Sequence, residues 1–122
     1  MNVVDSSGWV EYLAGRHRAE IYTEAIESPG TLVVPAICIF EVFRVIRRQL
    51  GENKAHLAVS AMRRGIIVDL TIPRAVASAE ISRVHSLSMA DSIILSAAQE
   101  FRAVLWTGDR HFKDIPGVRY LV

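Results

Sequence analysis

Four acidic side chains, Asp5, Glu41, Asp91 and Asp109, stand in apolar surroundings where a charge is costly unless something binds it. Asp5 closes the short run NVV, Glu41 is embedded in ICIFEVFRVI, Asp91 opens an apolar helical repeat, and Asp109 follows the run AVLWTG. Brought together, such carboxylates repel and raise one another's pKa values, and a hard divalent cation with oxygen preference, Mg²⁺ or Mn²⁺, relieves the repulsion. Acids without histidine or cysteine partners argue against zinc. A cation held by Asp5, Asp91 and Asp109 would serve phosphate chemistry. It orients a scissile phosphate, activates a water for in-line attack and neutralises charge on the leaving oxygen. Phosphodiester hydrolysis is the reaction these residue types point to. Each acid also has a plainer reading. Asp91 lies three residues after Ser88, the spacing of a capping box, Asp5 or Asp109 could cap a helix, and Glu41 could pair with Arg44 on a solvated face.

The elements that must position these acids follow from hydrophobic periodicity. Ala90, Ile93, Ile94, Ala97, Ala98 and Phe101 recur at helical spacing, so Asp91 lies beside a core face in a helix's first turn. Residues 103–106 read as a strand covered on both sides, with Thr107, Gly108 and Asp109 at its carboxyl end; residues 2–4 read as a strand ending in Asp5. In open parallel sheets, sites form at such ends. Residues 7–14 and 18–27 are predicted helices, followed by a Pro29-Gly30 turn and a buried strand over 32–34. Pro35 suits the entry to a helix running to Leu50, capped by Gly51, with Ile39, Phe43, Ile46 and Leu50 as its core stripe and Glu41 facing elsewhere. A helix over 52–64, a strand over 66–70 ending near Asp69, a helix from Pro73 to His85 and an edge strand over 118–121 complete the chain. Strands alternating with helices predict one α/β domain over residues 1–122, with a mainly parallel central sheet flanked by helices on both faces.

Composition narrows the class. With 122 residues, 51% hydrophobic and 22% charged, the chain is expected to form one compact domain. Fourteen Lys and Arg against thirteen Asp and Glu leave a formal charge of +1, too near neutral to announce nucleic-acid binding, so any basic surface must be local. Cys38 is the single cysteine, which excludes an intrachain disulfide and fits a reducing, cytoplasmic setting. The longest apolar run, residues 31–40, is short and contains Pro35, so no membrane anchor is expected.

The stretches VVDSSGWVEYL, PAICIFEVFR, LSMADSIILSAA and LWTGDRHFKDIPGVRYL, in this order, resemble PIN-domain proteins, and specifically the VapC toxins of bacterial toxin–antitoxin pairs. The resemblance covers essentially the whole chain. It implies that Asp5, Glu41, Asp91 and Asp109 form the family's acidic cluster, with Ser7 and Thr107 as polar helpers. It further implies a Mg²⁺-dependent ribonuclease, usually dimeric, held inactive by a cognate antitoxin. Ala90 departs from the proline that many relatives carry before the third acid, and Asp114 is a further acid that could assist the metal. The alternative is a PIN-like module that binds RNA or protein without cutting it. A phosphatase with Asp5 as nucleophile is disfavoured, because no second acid stands two residues on.

Overall fold

A computed structural model describes residues 1–121. Its centre is one sheet of five parallel strands, β1 (Asn2–Val4), β2 (Leu32–Pro35), β3 (Ile66–Val68), β4 (Val104–Thr107) and β5 (Val118–Tyr120), in the order β3-β2-β1-β4-β5. The inner strands have side chains buried on both faces, with Val3, Val4, Val33, Val34 and Leu105 all inaccessible to solvent. That is why they read as continuous apolar runs and not as alternating ones.

Six helices connect the strands: α1 (Ser6–Leu13), α2 (Thr23–Ile26), α3 (Ala36–Leu50), α4 (Glu52–Met62), α5 (Ile72–His85) and α6 (Met89–Glu100). The β1→β2 and β2→β3 crossovers step one way across the sheet, and the β3→β4 crossover steps back past β1. Since parallel crossovers are right-handed, α1 to α4 cover one face and α5 with α6 the other. The reversal makes the gap between β1 and β4 the topological switch point, where open parallel sheets place their sites.

Local chemistry explains the helix ends. Asp5 caps α1, Thr71 caps α5 ahead of Pro73 in its first turn, and Ser88 caps α6. Gly51 joins α3 to α4 with a φ of 94°, a conformation that suits glycine alone among common residues. Gly8 is required for a different reason. A Cβ there would lie 2.7 Å from both Tyr22 Cε1 and Val4 Cγ1, so the absence of a side chain lets α1 settle on β1.

The structure differs from periodicity in three places. The predicted helix over 18–27 is instead a tight 3₁₀ turn, Ala19–Tyr22, running into the single turn of α2, since no side chain caps its start. In α3 the fully buried positions are Cys38, Val42 and Ile46, whereas Leu50 is 47% exposed. Packing on α4 rotates the helix, and the half-buried Phe43 stacks edge-on against His56 with ring centroids 5.2 Å apart. In α6 the buried set is Ser92, Ile94, Leu95, Ala97 and Ala98, turned from the predicted stripe, of which Ala90, Ile93 and Phe101 are only partly buried, because this helix meets the sheet, α5 and α3 together. Among the described residues no helix is long and apolar enough to cross a membrane.

Candidate active site

Strand register builds the first half of the site. Val4 pairs with Trp106, and the Asp5 N–H donates to the Trp106 carbonyl at 3.1 Å, so the next residues along, Asp5 and Thr107, stand abreast at the switch point. The Thr107 hydroxyl donates to Asp5 Oδ2 at 2.6 Å, the Ser7 hydroxyl donates to the same oxygen at 3.0 Å, and the Gly8 N–H donates to Oδ1 at 2.9 Å. Thr107 in turn accepts the Asp109 N–H at 2.9 Å, which couples the two strand ends. Asp5 is only 4% exposed. Burial is the main force lifting its pKa above the ordinary 3.8, the charge of Asp109 adds to the lift, and the hydrogen bonds from Thr107, Gly8 and Ser7 oppose it.

Asp109 follows β4 and caps a 3₁₀ turn, Arg110–Phe112, its Oδ1 accepting the His111 N–H at 2.9 Å. Across from it, Asp91 projects from the first turn of α6. Its N–H donates to Ser88 Oγ at 3.3 Å, but the returning bond of a capping box, from Ser88 N–H to the Asp91 carboxylate, is not among the hydrogen bonds of the described residues. The carboxylate instead faces Asp109 and His111: His111 Nδ1 is 3.9 Å from Asp91 Oδ2 and 3.2 Å from Asp109 Oδ1. One donor atom from each of Asp91, Asp109 and His111 lies within 4.8 Å of the others. Burial first, and the Asp109 charge second, hold the Asp91 carboxyl above the ordinary 3.8; Glu41 adds to this, while Ser88 and His111 oppose it.

Glu41 enters from α3. Its Oε1 accepts the Ser6 hydroxyl at 2.6 Å, so the expected pair with Arg44 gives way to a bond across to the start of α1. All four acids line one cleft of about 300 Å³, together with Ser6, Ser7, Arg16 and Arg44. Arg16 is tied to Gln49 and lies 3.6 Å from Glu11 Oε1, and Arg44 rests over the Phe40 ring at 5.4 Å.

The structure thus collects Asp5, Glu41, Asp91 and Asp109 in one cleft and sets Ser7 and Thr107 on Asp5. Asp114 is exposed and does not line it. The capping readings of Asp5 and Asp109 hold as well, since each uses an oxygen to cap a turn while its carboxylate also borders the cleft. Two neighbours were not expected from the sequence: Ser6, which holds Glu41, and His111, which brings an imidazole to a set of acids. The signals were short-range ones, a second hydroxyl at the start of α1 and the Asp-x-His spacing of residues 109–111. Hard carboxylate oxygens converging from four elements, with like-charge repulsion between Asp91 and Asp109, form a donor set that fits a divalent cation.

Several solved structures share this architecture. A chain of a toxin–antitoxin complex from Klebsiella pneumoniae is 25% identical, with a TM-score of 0.80, over 98% of this chain and 96% of that one. VapC20 of Mycobacterium tuberculosis, a toxin that cleaves the sarcin-ricin loop, is 17% identical with a TM-score of 0.77, over 98% and 99% of the two chains. VapBC2 of Rickettsia felis, bound to a DNA fragment from its promoter, aligns at 16% identity and a TM-score of 0.74, over 98% of this chain and 96% of that one. A comparison with curated proteins gives no match. The family model for the PIN domain matches residues 3–118, from the first strand to the last, and by that measure the chain belongs to the PIN domain family.

Proposed function

We propose that this protein is a Mg²⁺-dependent endoribonuclease, the VapC-like toxin of a type II toxin–antitoxin pair, with Mn²⁺ able to replace Mg²⁺. The observation that carries this reading is the convergence of Asp5, Glu41, Asp91 and Asp109 on one cleft at the switch point of the sheet. Asp5, Asp91 and Asp109 would hold the ion. When bound, the cation supplies charge neutralisation at the phosphate and a more acidic water.

The remaining work falls to the chain itself. Thr107, Ser7 and Gly8 fix the Asp5 carboxylate by three donated hydrogen bonds, which leaves about one of its four lone-pair directions for the cleft. Ser6 fixes Glu41 through Oε1, so Oε2 is available to take a proton from the attacking water. RNA is expected to be cut with Mg²⁺ or Mn²⁺ to give 5′-phosphate and 3′-hydroxyl ends. Cyclic-phosphate ends, or undiminished cleavage in EDTA, would remove the mechanism, and binding of RNA without any cleavage would favour the non-catalytic module.

Arg16 and Arg44 are the cations lining the cleft, so few phosphates can be engaged there. With an Asp109→Asn variant, RNA affinity should fall with salt on a log–log slope of roughly −1.5 to −3, and Arg44→Ala should flatten it by roughly 0.7. A flat salt response in the parent variant would point to a protein ligand instead.

The proposed partners are the RNA substrate, a cognate antitoxin and a second copy of the chain, and the proposed setting is the cytoplasm. In support, Ile72, Val76 and Val84 on α5, with Met89 opening α6, are large apolar side chains left exposed, as is Phe40 on α3 at 58% exposure.

A further inference from the structure

Two carboxylate oxygens of the cleft lining, from Asp91 and Asp109, meet one imidazole nitrogen, from His111. His111 Nδ1 is 3.2 Å from Asp109 Oδ1 and 3.9 Å from Asp91 Oδ2. Donors that share one first-row ion at about 2.0–2.2 Å are separated by about 3 Å when adjacent and by up to about 4.4 Å when opposed. Both measured separations fall within that interval.

The local backbone fixes this arrangement. The Asp109 N–H is held by Thr107 Oγ1 and the His111 N–H by Asp109 Oδ1, both at 2.9 Å, while the fully buried Phe112 anchors the end of the same turn. The His111 ring is 72% exposed, and its partners among the described residues are the carboxylates of Asp91 and Asp109. Packing therefore does not fix the ring; its contacts with the two carboxylates do, and a shared ion would join all three groups.

We propose that His111 is a direct ligand of the metal centre and tunes it towards a first-row transition ion, with Mn²⁺ as the test case, over Mg²⁺. This rests on the metal-dependent reading above and refines which ion the centre selects. Mg²⁺ prefers oxygen donors and keeps its waters, so an imidazole adds little to its binding. First-row transition ions accept imidazole nitrogen more readily than Mg²⁺ does, and Mn²⁺, the hardest of them and the lowest in the affinity order, is the most demanding test of that bias. Asp5, Asp91 and Asp109 alone would leave the centre open to Mg²⁺; the imidazole biases the competition.

The test compares the full chain with His111→Ala and His111→Gln, two changes at an exposed ring. Pulsed EPR of the Mn²⁺-loaded proteins reads nitrogen coupling, and calorimetry with Mn²⁺ and with Mg²⁺ reads affinity. The wild type should show ¹⁴N coupling to the manganese, absent from both variants. Mn²⁺ affinity should fall by at least about 10-fold in His111→Ala, the least that losing even a partner of a ligand costs, while Mg²⁺ affinity stays near the wild-type value. Bound Mn²⁺ without nitrogen coupling, or equal weakening of both ions, overturns the assignment. If RNA is still cut in that case, the ribonuclease reading survives alone. Nitrogen coupling in a protein that cuts no RNA with either ion has the opposite meaning, sustaining the His111 ligand and removing the ribonuclease.

Discussion

In EDTA at neutral pH, Asp91→Asn should melt at a higher temperature than the wild type, although an acid in the first turn of a helix normally stabilises it. The loss from that helix terminus is about 0.3–1 kcal/mol. Against it stands repulsion from Asp109, whose oxygen approaches that of Asp91 within 4.8 Å, or roughly 3 kcal/mol at an effective dielectric near 20 before solvent screening reduces it. Even halved, the repulsion exceeds the capping loss. With excess Mg²⁺ the order should reverse, because the variant forfeits most of the stabilisation that a bound ion confers. The proposed ribonuclease activity should drop by at least roughly 10-fold. Thermal melts of both proteins with and without metal decide the matter: a lower melting point in EDTA with an unchanged Mg²⁺ response would return Asp91 to a purely capping role.

The same charges give the metal-free protein a distinctive pH response. Asp5 and Asp91 both have folded pKa values above the ordinary 3.8, so each binds its proton more tightly when folded. Stability from these groups is full below 3.8 and declines as pH rises through the folded values. The exposed Glu100, lowered by Arg74, runs the other way, but its contribution is lost only as pH falls below 4.5. Melting in EDTA should therefore rise as the pH is lowered from neutrality into the acid range, and the rise should be smaller in Asp91→Asn.

Thr107→Val should be among the most damaging isosteric changes in the molecule. Thr107 is wholly buried, donates to Asp5 Oδ2 at 2.6 Å and accepts from Asp109 N–H at 2.9 Å. Valine keeps the shape and removes both bonds, leaving a buried carboxylate short of a donor and a backbone N–H without its acceptor. A loss of about 2–4 kcal/mol follows. For a domain of this length that corresponds to a fall in melting temperature of roughly 8–15 °C, and Thr107→Ser should recover most of it. The deficit should shrink on acidification, because protonated Asp5 depends less on the donor it lost. Scanning calorimetry of the three proteins at two pH values is sufficient; a valine variant that melts with the wild type would mean that Asp5 does not depend on Thr107.

Which residues matter, and of what kind, was set by the chain locally. Apolar periodicity located β1, β4, α3 and α6 because burial of one face, or of both, is recorded in residue type along a short window. Ser88, Pro73 and Gly51 marked helix ends for reasons internal to a single turn. The four acids were conspicuous because an isolated carboxylate among isoleucines and valines needs a partner. Tertiary structure alone decided who those partners are. Pairing of Val4 with Trp106, residues 102 positions apart, brings Thr107 to Asp5, and no local pattern states that register. Reversal of strand order at β1 carries Asp109 to the same edge, and the return crossover delivers Asp91 at the mouth of α6. The divergence of two adjacent hydroxyls, Ser6 to Glu41 and Ser7 to Asp5, depends on how α1 sits against α3. His111 escaped notice because an exposed histidine in a polar turn carries no burial signal, and its meaning arises only from the carboxylates that α6 and β4 place beside it.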